Sequence, residues 1–247
     1  MKITLKSIVG DIVANNYKTA EIFKELNIDF CCGGQKTISE ACEKEHVSEE
    51  DTMTLLHTLN LFFTEDNKEQ EIDYRSWPLD KLTNHIVAKH HVYVEEKIPV
   101  LKEYLNKIES AHGDAHPELL EINQIFKDAS GQLAIHMKKE EFVLFPYIKK
   151  ISKAKQENTQ IETPPFGSIK NPIASMDEEH EFEGEAFRKI AELSNNYTIP
   201  KDGCNTYRVA FGMLKEFEDD LHLHIHKENN ILFQRAITLE EELLALN

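Results

Sequence analysis

The run His136-Met-Lys-Lys-Glu140-Glu-Phe-Val-Leu144-Phe145 returns later in the chain as His224-Ile-His-Lys-Glu228-Asn-Asn-Ile-Leu232-Phe233. On an α-helix, residues four apart lie one above the other, about 6 Å along the axis. Each His-x-x-x-Glu therefore presents one imidazole and one carboxylate to a common point. A single pair of this kind is an everyday solvated pair on a helix surface. Two pairs, each followed by an apolar trio (Val143-Leu144-Phe145 and Ile231-Leu232-Phe233), constrain the chain to two helices facing each other across a bundle core. Buried carboxylate–histidine metal sites are built in that geometry.

The rest of the chain reads as all-α. With 247 residues, 40% of them hydrophobic, it can bury a substantial core. Apolar residues recur mostly at three and four, alternating Val/Ile/Thr runs are missing, and Gly (9) and Pro (8) are scarce, so no sheet is expected. Residues 1–64 read as a small domain of short helices: Ser7 to about Asn15, Tyr17 to about Leu26, Thr37 to about Glu45 and Ser48 to Phe63. Thr37 with Glu40 forms a capping-box pattern, and Ser48 followed by Glu49, Glu50 and Asp51 supplies an N-cap and a negative first turn. The polar stretch from Glu65 to Asp73 reads as a linker. Residues 76–240 then hold four long helices: Leu79 to about Ser110, Pro117 to about Ser152, Pro172 to about Ser194, and Thr206 to about Leu244. Short turns at Gly113–Pro117 and Asn195–Asn205 make neighbours antiparallel, an up-down-up-down four-helix bundle, while Lys153 to Asn171, with Pro164, Pro165 and Gly167, reads as a longer crossover.

A site between the second and fourth long helices draws its remaining ligands from the first and third. His85, in the first turns of the first, and His180, in the first half of the third, are taken for them, each preceding its His-x-x-x-Glu by a similar span. The expected set is His85, His136, Glu140, His180, His224 and Glu228. Six side chains around one ion leave no open position; around two ions they give two histidines each and two bridging glutamates, with positions left vacant. Imidazole and carboxylate without thiolate suit iron or manganese better than structural zinc, and iron is the expectation. His112 is expected outside the first shell, His222 and His226 point to other faces than His224, and His46, His57, His90, His91 and His116 read as ordinary core or surface histidines.

The loop Asp29-Phe30-Cys31-Cys32-Gly33-Gly34 interrupts the short helices with adjacent thiols. Its glycines allow positive φ and close backbone approach. The helix starting near Thr37 offers a positive dipole end that lowers a nearby thiol pKa. Metal capture, NO or persulfide chemistry, and disulfide exchange are all open to such a loop, and Cys42 and Cys204 read as incidental. Four cysteines are too few for a disulfide framework. The net charge of −16 disfavours nucleic acid and anionic membrane as partners, and neither a signal segment nor a membrane span is evident. The expectation is a cytoplasmic protein, monomer or homodimer.

Two separate motifs give the chain a resemblance to a known family over nearly its whole length. The Asp-Phe-Cys-Cys-Gly-Gly loop among short helices is one. The other is a lone His followed by His136-x-x-x-Glu140-Glu141, then by Glu178-x-His180 and His224-x-x-x-Glu228-Asn229-Asn230, with the Phe145-Pro146 step. Together they resemble the iron-sulfur cluster repair di-iron proteins, the repair of iron centres family. The resemblance implies a hemerythrin-like four-helix bundle whose non-haem di-iron centre uses the six residues named above, Glu140 and Glu228 bridging, with Cys31 and Cys32 as the N-terminal cysteines. It implies restoration of clusters damaged by oxidative or nitrosative stress, with damaged iron-sulfur proteins as partners and iron donation as the means. Two other functions use the same centre: reduction of NO to N2O, with the metals as electron source and template, and reversible binding or sensing of O2, against which the thiols argue.

Overall fold

The computed structural model describes residues 2–64 and 72–245, and among these every regular element is helical, with one isolated bridge between Ile8 and Thr37. Four short helices come first: α1 (Val9–Asn15), α2 (Thr19–Lys24), α3 (Ile38–Lys44) and α4 (Glu49–Thr64). The capping box forms as the sequence predicts. Glu40 N donates to Thr37 Oγ1 at 3.2 Å and Thr37 N donates to Glu40 Oε2 at 2.8 Å. Asp51 N donates to Ser48 Oγ at 3.0 Å, which opens α4. The expected linker falls mostly on residues 65–71, outside the described residues; beyond it Asp73 caps a 3-10 turn, Tyr74–Ser76.

The four long helices follow. Helix α5 runs over 79–112, α6 over 118–157, α7 is Lys170–Leu193, and α8 runs over 205–245. Three of them contain a π-helical turn: Val87–His91 in α5, Glu140–Leu144 in α6 and Glu228–Leu232 in α8. Such turns fit an extra residue into a helix and re-aim the side chains around it, often at functional sites. Helix α5 packs on α6 and α8, and α7 on α6 and α8, closing an up-down-up-down ring. Helix α6 runs past the expected end near Ser152 because Ala154 extends its buried stripe, and Asn158, at φ 51, then terminates it.

The core is layered. One apolar cluster joins Val9, Ile12, Phe23, Ile38 and Leu59 of the short helices to Leu101, Phe126, Phe187 and Phe217 of the bundle. The short-helix segment therefore shares its core with the bundle. A second cluster, with Leu82, Ile86, Ile148, Ile173, Leu232 and Phe233, fills the bundle's other end. Between them, where α6 passes from Met137 to Leu144 and α8 from Ile225 to Ile231, lies a slab of buried histidines and glutamates: His136, Glu140, His180, Glu183, His224 and Glu228. Among the described residues no helix is long and apolar enough to cross a membrane.

The second cluster depends on a buried carboxylate. Glu240, 2% exposed, accepts from Tyr147 Oη at 2.8 Å, Ser168 Oγ at 2.7 Å and the Ile169 amide at 3.0 Å, tying the 158–169 crossover and the start of α7 to α8. Glu240→Ala strands three donors in an apolar setting. The expected cost is roughly 2–4 kcal/mol, read as a fall in Tm of roughly 5–10 °C by circular dichroism; an unchanged Tm contradicts the anchoring role.

Candidate metal centre

The π turns carry the chemistry. Glu140 and Glu228 are the first residues of theirs and His91 the last of its own. These three meet His136, His180 and His224 in two overlapping groups: His91, Glu140, His224 and Glu228, and His136, Glu140, His180 and Glu228. Within each group one donor atom per residue lies within 4.8 Å of the others, and both glutamates belong to both groups. His91 Nε2 and His136 Nε2 stand 3.3 and 3.4 Å from Glu140 Oε2. On the other carboxylate, His180 Nε2 lies 3.3 Å from Glu228 Oε2 and His224 Nε2 3.0 Å from Oε1.

Five of the six expected residues come together, and His85 does not. It lies on the outer side of α5 against Tyr74 (ring centroids 5.0 Å) and Trp77 (5.3 Å), and His91 takes the place expected of it. The reason is helical phase. The two are six residues apart, so they cannot share one face, and the π turn at Val87–His91 lets both His90 and His91 turn inward. A signal was present in the sequence: His91 precedes His136 by nearly the span that separates His180 from His224, whereas His85 overshoots it.

The residues fit a pair of cations. Glu140 and Glu228 are completely buried, and neither Glu140 oxygen nor Glu228 Oε2 has a hydrogen-bond partner. Burying an uncompensated carboxylate is costly. Burial and the neighbouring Glu228 push the Glu140 carboxyl well above the usual range, while His224 and His180 outweigh burial at Glu228 and hold it well below. Three imidazoles donate from Nδ1 to a fixed acceptor: His91 to Glu141 Oε1 at 2.8 Å, His136 to Glu179 Oε2 at 2.9 Å and His180 to Asn229 Oδ1 at 2.8 Å. This sets the tautomer that leaves a lone pair on Nε2, the arrangement metal-bound histidines use. His136 Nε2 and His180 Nε2 consequently face each other at 3.1 Å, which two lone pairs tolerate when both point at a cation.

Glu141, Glu179 and Asn229, to which the sequence reading gave no role, supply this support, and Glu183 and Lys227 are buried beside the same residues. Glu183 sits one turn beyond His180, is 1% exposed, and has no hydrogen bond on either oxygen; burial pushes its carboxyl up to about 8. His112 stands far from the slab, its Nε2 3.2 Å from the exposed Cys204 thiol ahead of α8.

The Cys-Cys-Gly-Gly loop is docked on the same π turn of α8. Asn230 Nδ2 donates to Cys31 O at 3.0 Å, and its Oδ1 accepts from Gln35 Nε2 at 2.9 Å. A Cβ on Gly34 would fall 2.6 Å from Asn230 Oδ1, so the glycine is what permits the approach. Asn229 and Asn230 thus divide the work, one aiming His180 and the other seating the loop. Cys32 Sγ donates to the His180 carbonyl at 3.4 Å, and Cys31 Sγ to Asp29 Oδ1 at 3.1 Å. The expected lowering of a thiol pKa does not hold for Cys31. Its contact with Cys32, its burial and the Asp29 carboxylate raise it well above the ordinary value.

Comparisons with known proteins match both parts of the chain. Residues 5–60 match the family model ScdA_N, described as a domain of unknown function (DUF542), and residues 82–236 match the hemerythrin HHE cation binding domain. The chain is 30% identical over 235 residues to the iron-sulfur cluster repair protein ScdA of Staphylococcus epidermidis, covering 95% of this chain and 99% of that one. It is 31% identical to the iron-sulfur cluster repair protein YtfE of Shigella boydii serotype 4 and of Escherichia coli O8, in each case over 94% of this chain and 97% of the relative. With both halves matched in order and the full length of each relative spanned, the chain belongs to the family of iron-sulfur cluster repair proteins that carry a hemerythrin HHE cation binding domain.

Proposed function

We propose that this chain is a di-iron protein that restores damaged iron-sulfur clusters by donating iron. The observation that carries the reading is the pair of fully buried carboxylates, Glu140 and Glu228, placed among four imidazole Nε2 atoms. The residues that would hold the two ions are His91, His136, Glu140, His180, His224 and Glu228, with both glutamates shared between them. Nitrogen and oxygen donors without thiolate, and fewer than six of them per ion, favour iron over a closed zinc site. They also leave positions free on each ion for an acceptor of the outgoing iron or for a small ligand such as NO. When bound, iron supplies the cargo and its redox chemistry. The chain's own residues hold the imidazoles in one tautomer, exclude water with the two apolar clusters, and balance charge with the bridges. Cys31 and Cys32 serve the repair reaction from the loop above His180, in iron handover or in its redox step. Damaged iron-sulfur proteins are the partners, a reading supported by the relatives' names.

Anaerobic reconstitution with ferrous iron should give two ions per chain, His85→Ala should keep two, and His91→Ala should lose at least one. Colorimetric iron determination reads this directly, and retention by His91→Ala with loss by His85→Ala would overturn the ligand set. Glu140→Ala and Glu228→Ala should each lose more iron than any single His→Ala, because a bridge serves both ions and screens their repulsion. Equal retention across the series argues against bridging.

The double variant Cys31→Ser with Cys32→Ser should hold two irons yet fail to restore a nitrosylated iron-sulfur enzyme. Full restoration of that enzyme's activity would remove the thiols from the reaction.

A further inference from the structure

The two hairpins of the bundle are near repeats, and they differ where charge meets the metal slab. Three residues beyond His180 stands Glu183; three beyond His91, its counterpart, stands the buried Val94. Residues three apart share a helix face, so Glu183 follows His180 along the inward side of α7. The groups that act on its carboxyl are His180, Glu228 and Glu179. His180 offsets burial only in part, Glu228 and Glu179 add to it, and Glu183 itself makes no hydrogen bond.

A charge of opposite sign lies at the other end of the slab. Lys227, three residues beyond His224, is 8% exposed, and its Nζ donates to His90 Nε2 at 2.7 Å. The His90 ring stacks flat on the His224 ring, with centroids 5.2 Å apart and planes 2° from parallel. The ammonium is thus one imidazole removed from His224. Asp220, 3.0 Å from His90 Nδ1, offsets part of its charge. The matching residue of the first hairpin, Lys139, is exposed and paired with Glu179 at 2.5 Å. The imidazoles follow the same trend, since both His136 and His180 are oriented through Nδ1 whereas His224 Nδ1 has no partner. An oriented imidazole is the better ligand.

We propose that Glu183 and Lys227 make the two metal positions unequal, so that the ion between His136 and His180 is retained and the ion between His91 and His224 is the one given away. The proposal rests on the two-iron reading and assigns its cargo to one side. No redox change is involved: Fe(II) leaves the His91 and His224 nitrogens and its share of the bridges for an external acceptor, and protons from solvent replace it on the vacated bases.

The full chain, loaded anaerobically with Fe(II) and mixed with a ferrous chelator, should release iron in two phases of one ion each. Glu183→Gln, which keeps the shape and removes the carboxylate that a neighbouring cation would draw into its charged form, should speed the slow phase at least about tenfold and leave the fast phase alone, since even a strongly screened attraction between a carboxylate and a divalent ion exceeds that factor. Lys227→Met should slow the fast phase only. Glu183→Met gives a second readout that does not depend on release. It should raise the Tm of the metal-free protein by removing an unpartnered buried carboxyl and shrink the Tm gain on adding iron. Two irons leaving in one phase, or a Glu183→Gln effect spread over both phases, overturns the proposal. Fewer than two irons bound at the outset overturns the two-iron reading itself.

Discussion

Two carboxylates, Glu140 and Glu228, face each other inside a helical bundle with no hydrogen-bond donor to satisfy them fully, and the remainder of the structure is arranged around that repulsion. Uncompensated, two buried negative charges would oppose folding. Here four imidazoles are brought to the same point, three of them fixed by a partner at Nδ1 so that Nε2 can meet a cation. The polar slab is sandwiched between two apolar clusters that keep water out. Low dielectric strengthens every interaction within the slab and makes the missing countercharge matter more. A cation pair would resolve the conflict, and it would link metal content to stability.

The π turns are the local means by which the helices accommodate this. A straight α-helix repeats its inward face at three and four residues, which suits an apolar stripe but gives little freedom over where a short carboxylate lands. Starting a π turn at Glu140 and at Glu228, and ending one at His91, changes the phase at the slab while the apolar stripes on either side stay in register with their neighbours. Helix α7 has no such turn, and it is the helix that brings the additional buried carboxyl, Glu183. The pseudo-symmetry of the hairpins is broken in geometry and in charge together.

The small first domain is part of the same construction. Its apolar residues merge with those of the bundle, Lys24 pairs with Asp219 at 2.5 Å, and Asn230 holds the cysteine loop against α8. The residue that seats the loop stands next to the one that orients His180, so movement of the loop and the setting of a metal-facing imidazole share one short segment, Glu228-Asn229-Asn230. Gly34 permits the contact because any side chain there would collide with Asn230. Cys31 is buried, and its contact with Cys32, its burial and the Asp29 carboxylate push its thiol well above the ordinary range, opposite to what a helix start alone suggests.

The sequence by itself determined the helical class, the short-helix segment followed by four long helices, and the two His-x-x-x-Glu pairs. Periodicity and capping are local, and residues such as Thr37, Glu40 and Ser48 act on neighbours a few positions away. It also carried His180, because a lone inward histidine on α7 had no rival. Only the tertiary structure decided between His85 and His91, since the choice turns on a π turn that shifts helical phase and that packing between helices, not local propensity, stabilises. The same holds for Glu179, Glu183 and Lys227, which read as ordinary charged helix residues until burial and neighbours are known. It holds for Cys31 as well: a thiol's reactivity follows from desolvation and from the carboxylate folded against it, and neither is written in the spacing of the cysteines.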